Sequence, residues 1–148
     1  MPSFPLQLGP ASGRRPAVLI TDDDAALRET LRATLEPCGV DTMLAGDGLE
    51  ALEIVQRDPV HVAVFDMHMP RLTGLEAMLR LRAMGLDLPC ILISAKLDDS
   101  LKAAAGRANA FSLLPKPISR VALTSSVQHA LESRYSWTQP NRLKSQDG

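Results

Sequence analysis

Asp22, Asp23 and Asp24 follow directly on the apolar run from Pro16 to Thr21, and Asp66 follows directly on a second run, Val60 to Phe65. Carboxylates gathered in one place repel one another, and the usual relief is a hard divalent cation with oxygen ligands. Two more polar residues stand where apolar runs stop: Ser94 after Cys90 to Ile93, and Lys116 shortly after Phe111 to Leu114. The chemistry these residue types suggest first is that of a cation site with a hydroxyl and an ammonium group beside it.

For those residues to meet, the runs that precede them must be neighbours. Each run is nearly continuous in apolar and β-branched residues, the pattern of a strand buried on both faces in a parallel sheet. Leu27, Leu31 and Leu35 recur every four residues and predict a helix from about Ala25 to Glu36, closed by Pro37 and Gly39, with Asp24 as its N-cap. A strand over Val40 to Leu44 and a helix with Leu49, Leu52, Ile54 and Val55 inward come next. A helix over roughly Leu75 to Met84 follows the third strand, with Leu75, Met78, Leu79 and Leu81 available to the core. After the fourth strand, Asp98 to about Ala108 is Ala-rich and helical. The fifth strand, Phe111 to Leu114, is placed at a sheet edge because Pro115 cannot donate to a ladder. Ser119 caps a last helix, to about Arg134, with Val121, Leu123, Val127, Ala130 and Leu131 as its apolar positions.

Five alternations of strand and helix specify an α/β fold, a parallel sheet covered on both faces. The common order for such a doubly wound, flavodoxin-like sheet is 2-1-3-4-5, with ligands at the carboxyl ends of strands 1 and 3, where the order reverses. Those strands are the two that end in Asp. Residues 16–135 are expected to form the domain, with 1–15 and 136–148 as flexible extensions rich in breakers or polar residues.

Composition narrows the function classes. The chain has 148 residues, enough for one core, and its aromatic content of 3% leaves no stacking platform for nucleic acid. A formal net charge of −1 argues against binding DNA through phosphates. The short tail after the last helix has no room for a helix-turn-helix unit, so no direct nucleic-acid contact is expected. Cys38 and Cys90 form no Cys-x-x-Cys pair and read as reduced thiols of a cytoplasmic protein. Neither a signal peptide nor a membrane span is predicted. His61, His68 and His129 lack the spacing of a zinc site.

Four segments in order, each at the end of a predicted strand, resemble the receiver domain of two-component response regulators. They are Val18-Leu19-Ile20-Thr21-Asp22-Asp23; Val64-Phe65-Asp66-Met67-His68-Met69-Pro70 with Gly74 beyond; Ile91-Leu92-Ile93-Ser94-Ala95; and Leu114-Pro115-Lys116-Pro117. The resemblance covers about Pro16 to Arg134 and implies a CheY-like stand-alone receiver. It implies that Asp66 accepts a phosphoryl group from a histidine kinase or phosphotransfer protein. Mg2+ would be held by Asp22, Asp23, Asp66 and the carbonyl of His68, with Lys116 and Ser94 contacting the phosphoryl oxygens. Catalysis would extend only to the chain's own phosphorylation and dephosphorylation. The output would be a changed helix 4, strand 5 and helix 5 face that meets a downstream protein target or a second copy in a homodimer.

The chain departs from the family's pattern at Leu113, where an aromatic switch residue is usual; Phe111, two residues earlier, is a candidate substitute or a plain packing residue. Asn109 replaces a usual Gly, a mild change because Asn tolerates positive φ. His68 and Lys96 are expected to border the site, either modulating the access of the hydrolytic water or standing as solvated loop residues. Two rivals are weighed. One is a receiver-like interaction module that is never phosphorylated, which retention of all five key side chains opposes. The other is a phosphatase of the haloacid dehalogenase type, opposed by His68 where that family needs a second Asp. Tyr135 and Trp137 are read as covering the end of the domain, with a partner contact as the other reading.

Overall fold

Burial at every position, rather than alternation, marks three strands of the computed structural model: β1 (Ala17–Thr21), β3 (Val62–Asp66) and β4 (Cys90–Ser94). The structure describes residues 15–139; the expected extension, apart from Arg15, and the tail from residue 140 onward lie outside the described residues. β2 (Asp41–Ala45) and β5 (Ser112–Pro115) complete a five-stranded, all-parallel sheet of order β2-β1-β3-β4-β5. The order is the expected one, and β5 is an edge strand as Pro115 requires. Between the strands run α1 (Ala25–Leu35), α2 (Gly48–Arg57), α3 (Gly74–Ala83) and α4 (Asp99–Arg107), and α5 (Arg120–Tyr135) closes the fold.

Successive strand side chains point to opposite faces, and the core divides accordingly. Leu19, Ala63, Phe65, Cys90 and Leu92 meet α2, α3 and α4, through Ala51, Ile54, Val55, Ala77, Met78, Leu81 and Ala105. Val18, Ile20, Val62, Val64, Ile91 and Ile93 meet α1 and α5, through Leu31, Leu35, Leu123, Val127, Ala130 and Leu131. Each fully buried aliphatic side chain stabilises the fold by roughly 1.5–3 kcal/mol relative to exposure. Among the described residues no helix is long and apolar enough to cross a membrane. Both cysteines are free thiols, and burial pushes that of Cys90 up to about 12.

Three large apolar residues expected to face inward do not. Leu49 is 38% exposed, Leu79 48% and Val121 72%. Small residues take the central rows instead: α3 buries Gly74, Ala77, Met78 and Leu81, spaced i, i+3, i+4 and i+7, and α2 buries Gly48 and Ala51 beside Ile54 and Val55. A helix lying close on a sheet has room for Gly and Ala along its line of contact.

At the β5 edge, Phe111 and Leu113 do not share a strand face. Phe111 sits in a bend before the strand and packs with the α1 and α5 layer, its ring edge-on to His129 at 5.4 Å, whereas Leu113 packs with the opposite layer. Phe111 is therefore a packing residue on the wrong side of the sheet to replace an aromatic at 113. Asn109 takes a φ of 59°, as its type allows. At the far end, the Tyr135 hydroxyl donates to the His61 carbonyl at 2.8 Å, and Trp137 is 5% exposed within the α1 and α5 layer.

Candidate functional site

Register brings the strand ends together. Thr21 of β1 pairs with Phe65 of β3, so the next residue on each strand, Asp22 and Asp66, emerges at the same level. Asp66 in turn pairs with Ile93, and Ser94 pairs with Pro115, which places Ser94 and Lys116 on the same edge. The backbone N–H of Lys116 donates to the Ser94 carbonyl at 2.9 Å and anchors the start of the β5–α5 loop, where the Lys116–Pro117 peptide is cis.

Asp22, Asp23 and Asp66 each present a carboxylate oxygen within 4.8 Å of the others. Asp22 and Asp66 are buried and Asp23 is exposed. Lys116 Nζ lies 3.3 Å from Asp22 Oδ2 and 3.2 Å from Asp66 Oδ1, bridging the two buried groups. Burial holds the Asp22 carboxyl above its ordinary range and the Asp66 charge adds to this, against the Asp24 backbone N–H and the Lys116 charge. For Lys116, burial acts downward, but the hydrogen bonds and charges of Asp66 and Asp22 outweigh it and hold the ammonium above the ordinary lysine value. One ammonium faces three carboxylates, so a net negative site of hard oxygen donors remains, which suits a small divalent cation. The cluster comprises the three aspartates expected.

Asp24 stands apart from it. Its side chain accepts from the N–H groups of Ala26 and Leu27 at 3.0 and 3.2 Å and caps α1, and its own N–H donates to Asp22 Oδ1 at 2.9 Å. The cap therefore both starts the helix and orients a site carboxylate. The three histidines are not brought together: His61 packs against Tyr135, His129 against Phe111, and His68 lies against Ser94.

The loop after β3 is seated by close approach. The N–H of Gly74 donates to the Met67 carbonyl at 3.1 Å, and a Cβ at position 74 would stand 2.6 Å from the Asp66 carbonyl oxygen, so only glycine fits. Thr73 and Glu76 form a capping box that starts α3 there. Ser94, wholly buried, has its Oγ 3.1 Å from His68 Nε2 and 3.0 Å from both the N–H and the carbonyl of Lys96. The His68 side chain borders the site as expected, and Lys96 meets it through its main chain.

One residue of the site is new to the structure. Arg28, one turn into α1, donates from Nη1 to the Asp22 carbonyl at 2.6 Å and holds the end of β1. Its signal in the sequence was faint: a basic residue four positions after the capping Asp24.

The description "Response regulator receiver domain" is that of a family model that matches residues 18–128. The response regulator MprA of Mycobacterium leprae (strain TN) is 42% identical over 114 residues, covering 77% of this chain and 50% of the relative. MprA of Mycobacterium ulcerans (strain Agy99) is 44% identical over 100 residues, 68% of this chain and 43% of the relative. The chain spans about half the length of these curated relatives. Among solved structures, the receiver domain of Francisella response regulator 1452 superposes with a TM-score of 0.76 at 30% identity, covering 80% of this chain and 98% of that one. The Vibrio cholerae chemotaxis protein CheY4 gives 0.75 at 27% identity, covering 80% of this chain and all 100% of its own.

Proposed function

The chain belongs to the response regulator receiver domain family, and from that premise we propose that Asp66 accepts a phosphoryl group from the phosphohistidine of a histidine kinase or phosphotransfer protein. The observation that carries this reading is the Lys116 ammonium bridging Asp22 and Asp66, with Ser94 one strand further along the same edge. Asp66 attacks phosphorus, the P–O bond forms as the P–N bond of the donor breaks, and the electron pair leaves on the imidazole nitrogen. Lys116 exchanges its contact with Asp66 for one with a phosphoryl oxygen as charge moves there. Ser94 donates its hydroxyl proton to another oxygen of the group.

Asp22, Asp23, Asp66 and the main-chain carbonyl of His68 would hold Mg2+, which when bound neutralises charge on carboxylate and phosphoryl group and aligns them. Asp22 must be ionised to serve, and the Asp24 N–H and Lys116 favour that form. Water later attacks phosphorus and the bond to Asp66 breaks, so the chain acts chemically on no substrate but its own carboxylate. The phosphoryl group shifts a population because it contacts one arrangement of the β4–α4 loop better than the other. The face of α4, β5 and α5 would then meet a downstream protein or a second copy of the chain, in the cytoplasm where the kinase's phosphohistidine is presented.

The test is incubation with Mg2+ and acetyl phosphate, followed by intact mass, beside an Asp66→Asn variant. One added phosphoryl group is expected, absent in the variant and absent when Mg2+ is chelated. No added mass with acetyl phosphate or with a panel of phosphorylated histidine kinases would overturn the reading in favour of a constitutive interaction module.

A further inference from the structure

Ser94 is wholly buried and its hydroxyl is already saturated. A hydroxyl has one proton to give and two lone pairs to offer. The Lys96 N–H occupies one lone pair. If the Ser94 O–H donates to the Lys96 carbonyl, then His68 Nε2–H donates into the second lone pair; if His68 presents a bare Nε2, the O–H proton goes to the imidazole instead. Under either tautomer no proton is left for a further acceptor.

We propose that the His68 imidazole presents a bare Nε2 and is a positioning residue that detains the Ser94 hydroxyl by accepting its proton, and that a phosphoryl group on Asp66 must break this His68–Ser94 hydrogen bond before Ser94 can donate to it. This rests on phosphoryl acceptance by Asp66. His68 joins the two ends of the exchange: its backbone N–H donates to Asp66 Oδ1 at 3.3 Å, while its ring, on an exposed residue, reaches Ser94. A change at Asp66 therefore acts on the residue that carries the ring. Because Ser94 is excluded from solvent, its hydroxyl can change partners but cannot be left without one cheaply, so on release from His68 its proton passes to an acceptor within reach, the Lys96 carbonyl or a phosphoryl oxygen. Lys96 is tied to Ser94 through both its main-chain groups, and α4 begins three residues beyond it, so a shift of Ser94 is passed to the helix. Leu113 offers no polar tip to share this task, and Phe111 lies on the other side of the sheet. The imidazole thus sets a threshold on activation, equal to the amount by which its hydrogen bond exceeds the one that the Lys96 carbonyl offers.

The measurement is the affinity for beryllofluoride, a stable phosphoryl mimic on carboxylates, in the presence of Mg2+, by 19F NMR titration of the full chain. His68→Ala removes the ring, and His68→Phe keeps a ring of similar size without a nitrogen. Both are expected to bind beryllofluoride more tightly than the parent, by up to about tenfold, the ceiling that one net hydrogen bond sets. In a Ser94→Ala background the same substitutions are expected to change the affinity by less than about twofold, since the partner of the bond is gone. Equal or weaker binding by the His68 variants, with the parent binding normally, overturns the proposal and leaves phosphoryl acceptance standing. Tightening that persists without Ser94 also overturns it. If the parent neither binds beryllofluoride nor gains mass from acetyl phosphate, phosphoryl acceptance itself falls and takes this inference with it.

Discussion

On the proposed reading Asp22 must do two opposed things: lie buried among like charges, and ionise to hold a cation. Burial and the Asp66 charge keep its carboxyl above the ordinary range in the folded chain. The folded state therefore binds this proton more tightly than the unfolded one. Its contribution to stability is full below the unfolded value and is lost as pH rises through the raised folded value. Mg2+ needs the ionised form and offsets that loss, so the gain in melting temperature on replacing EDTA by Mg2+ is expected to grow as pH rises from the ordinary carboxylate range through the raised folded value. Asp22→Asn should abolish the gain; a gain that is the same at every pH would contradict the assignment. Gly74 carries a steric demand at the same scale. Its Cβ position lies 2.6 Å from the Asp66 carbonyl oxygen and 3.0 Å from the carbonyl carbon, both backbone atoms that cannot swing aside. Gly74→Ala is expected to cost about 1–3 kcal/mol in urea unfolding and to slow phosphorylation of Asp66 by acetyl phosphate. The site residues were legible because each is a charge or hydroxyl that ends an apolar run. The His68–Ser94 bond was not, since it joins two loops whose paths no periodicity describes.

The elements were legible in kind and order for the same reason that their faces were sometimes misjudged. Strand and helix boundaries follow from where apolar runs stop and caps begin: β4 spans Cys90–Ser94 as expected, and Ser119 caps α5. Which side of a helix lies inward depends on how closely it approaches the sheet, and size is a poor guide to that. Leu49 and Leu79 are large and exposed, while Ala51 and Ala77 are small and wholly buried. Counting in twos along the fifth run would put Phe111 on the face of Leu113, but the count holds only inside a strand, and β5 begins at Ser112. The Thr73 cap is a prediction that belongs to this scale. Its hydroxyl accepts the Glu76 N–H at 3.1 Å and fixes where α3 starts, hence where the loop carrying His68 ends. Thr73→Ala should destabilise the fold by about 1 kcal/mol, and Thr73→Ser by much less, in paired urea titrations. Equal losses for both would mean that the methyl group, not the cap, matters.

At the scale of the whole molecule, the two ends of the sheet have opposite tasks. The carboxyl-terminal edge concentrates like charges, which weaken the metal-free fold. The opposite edge is closed by apolar and aromatic groups. Tyr135 donates to the His61 carbonyl and sets its ring edge-on to that histidine at 5.2 Å, and burial pushes its hydroxyl up to about 12. Trp137 follows, its main-chain N–H donating to the Leu131 carbonyl at 3.2 Å and its side chain packed into the layer of α1 and α5. A domain boundary at residue 135, as composition alone suggests, would cut between these two residues. We propose that the packed unit runs through Trp137. A chain ending after Tyr135 is expected to lose about 3 kcal/mol relative to one ending at Gln139, the order of a buried Trp truncation, and Trp137→Ala in the full chain should reproduce most of the loss. Because Trp137 stands at the edge away from Asp66, the same variants should still gain one phosphoryl group from acetyl phosphate wherever they remain folded. Stability lost with acceptance retained would mean that the far edge supports the charged site without taking part in its chemistry; acceptance lost in a variant that is still folded would mean that the two edges are coupled through the sheet.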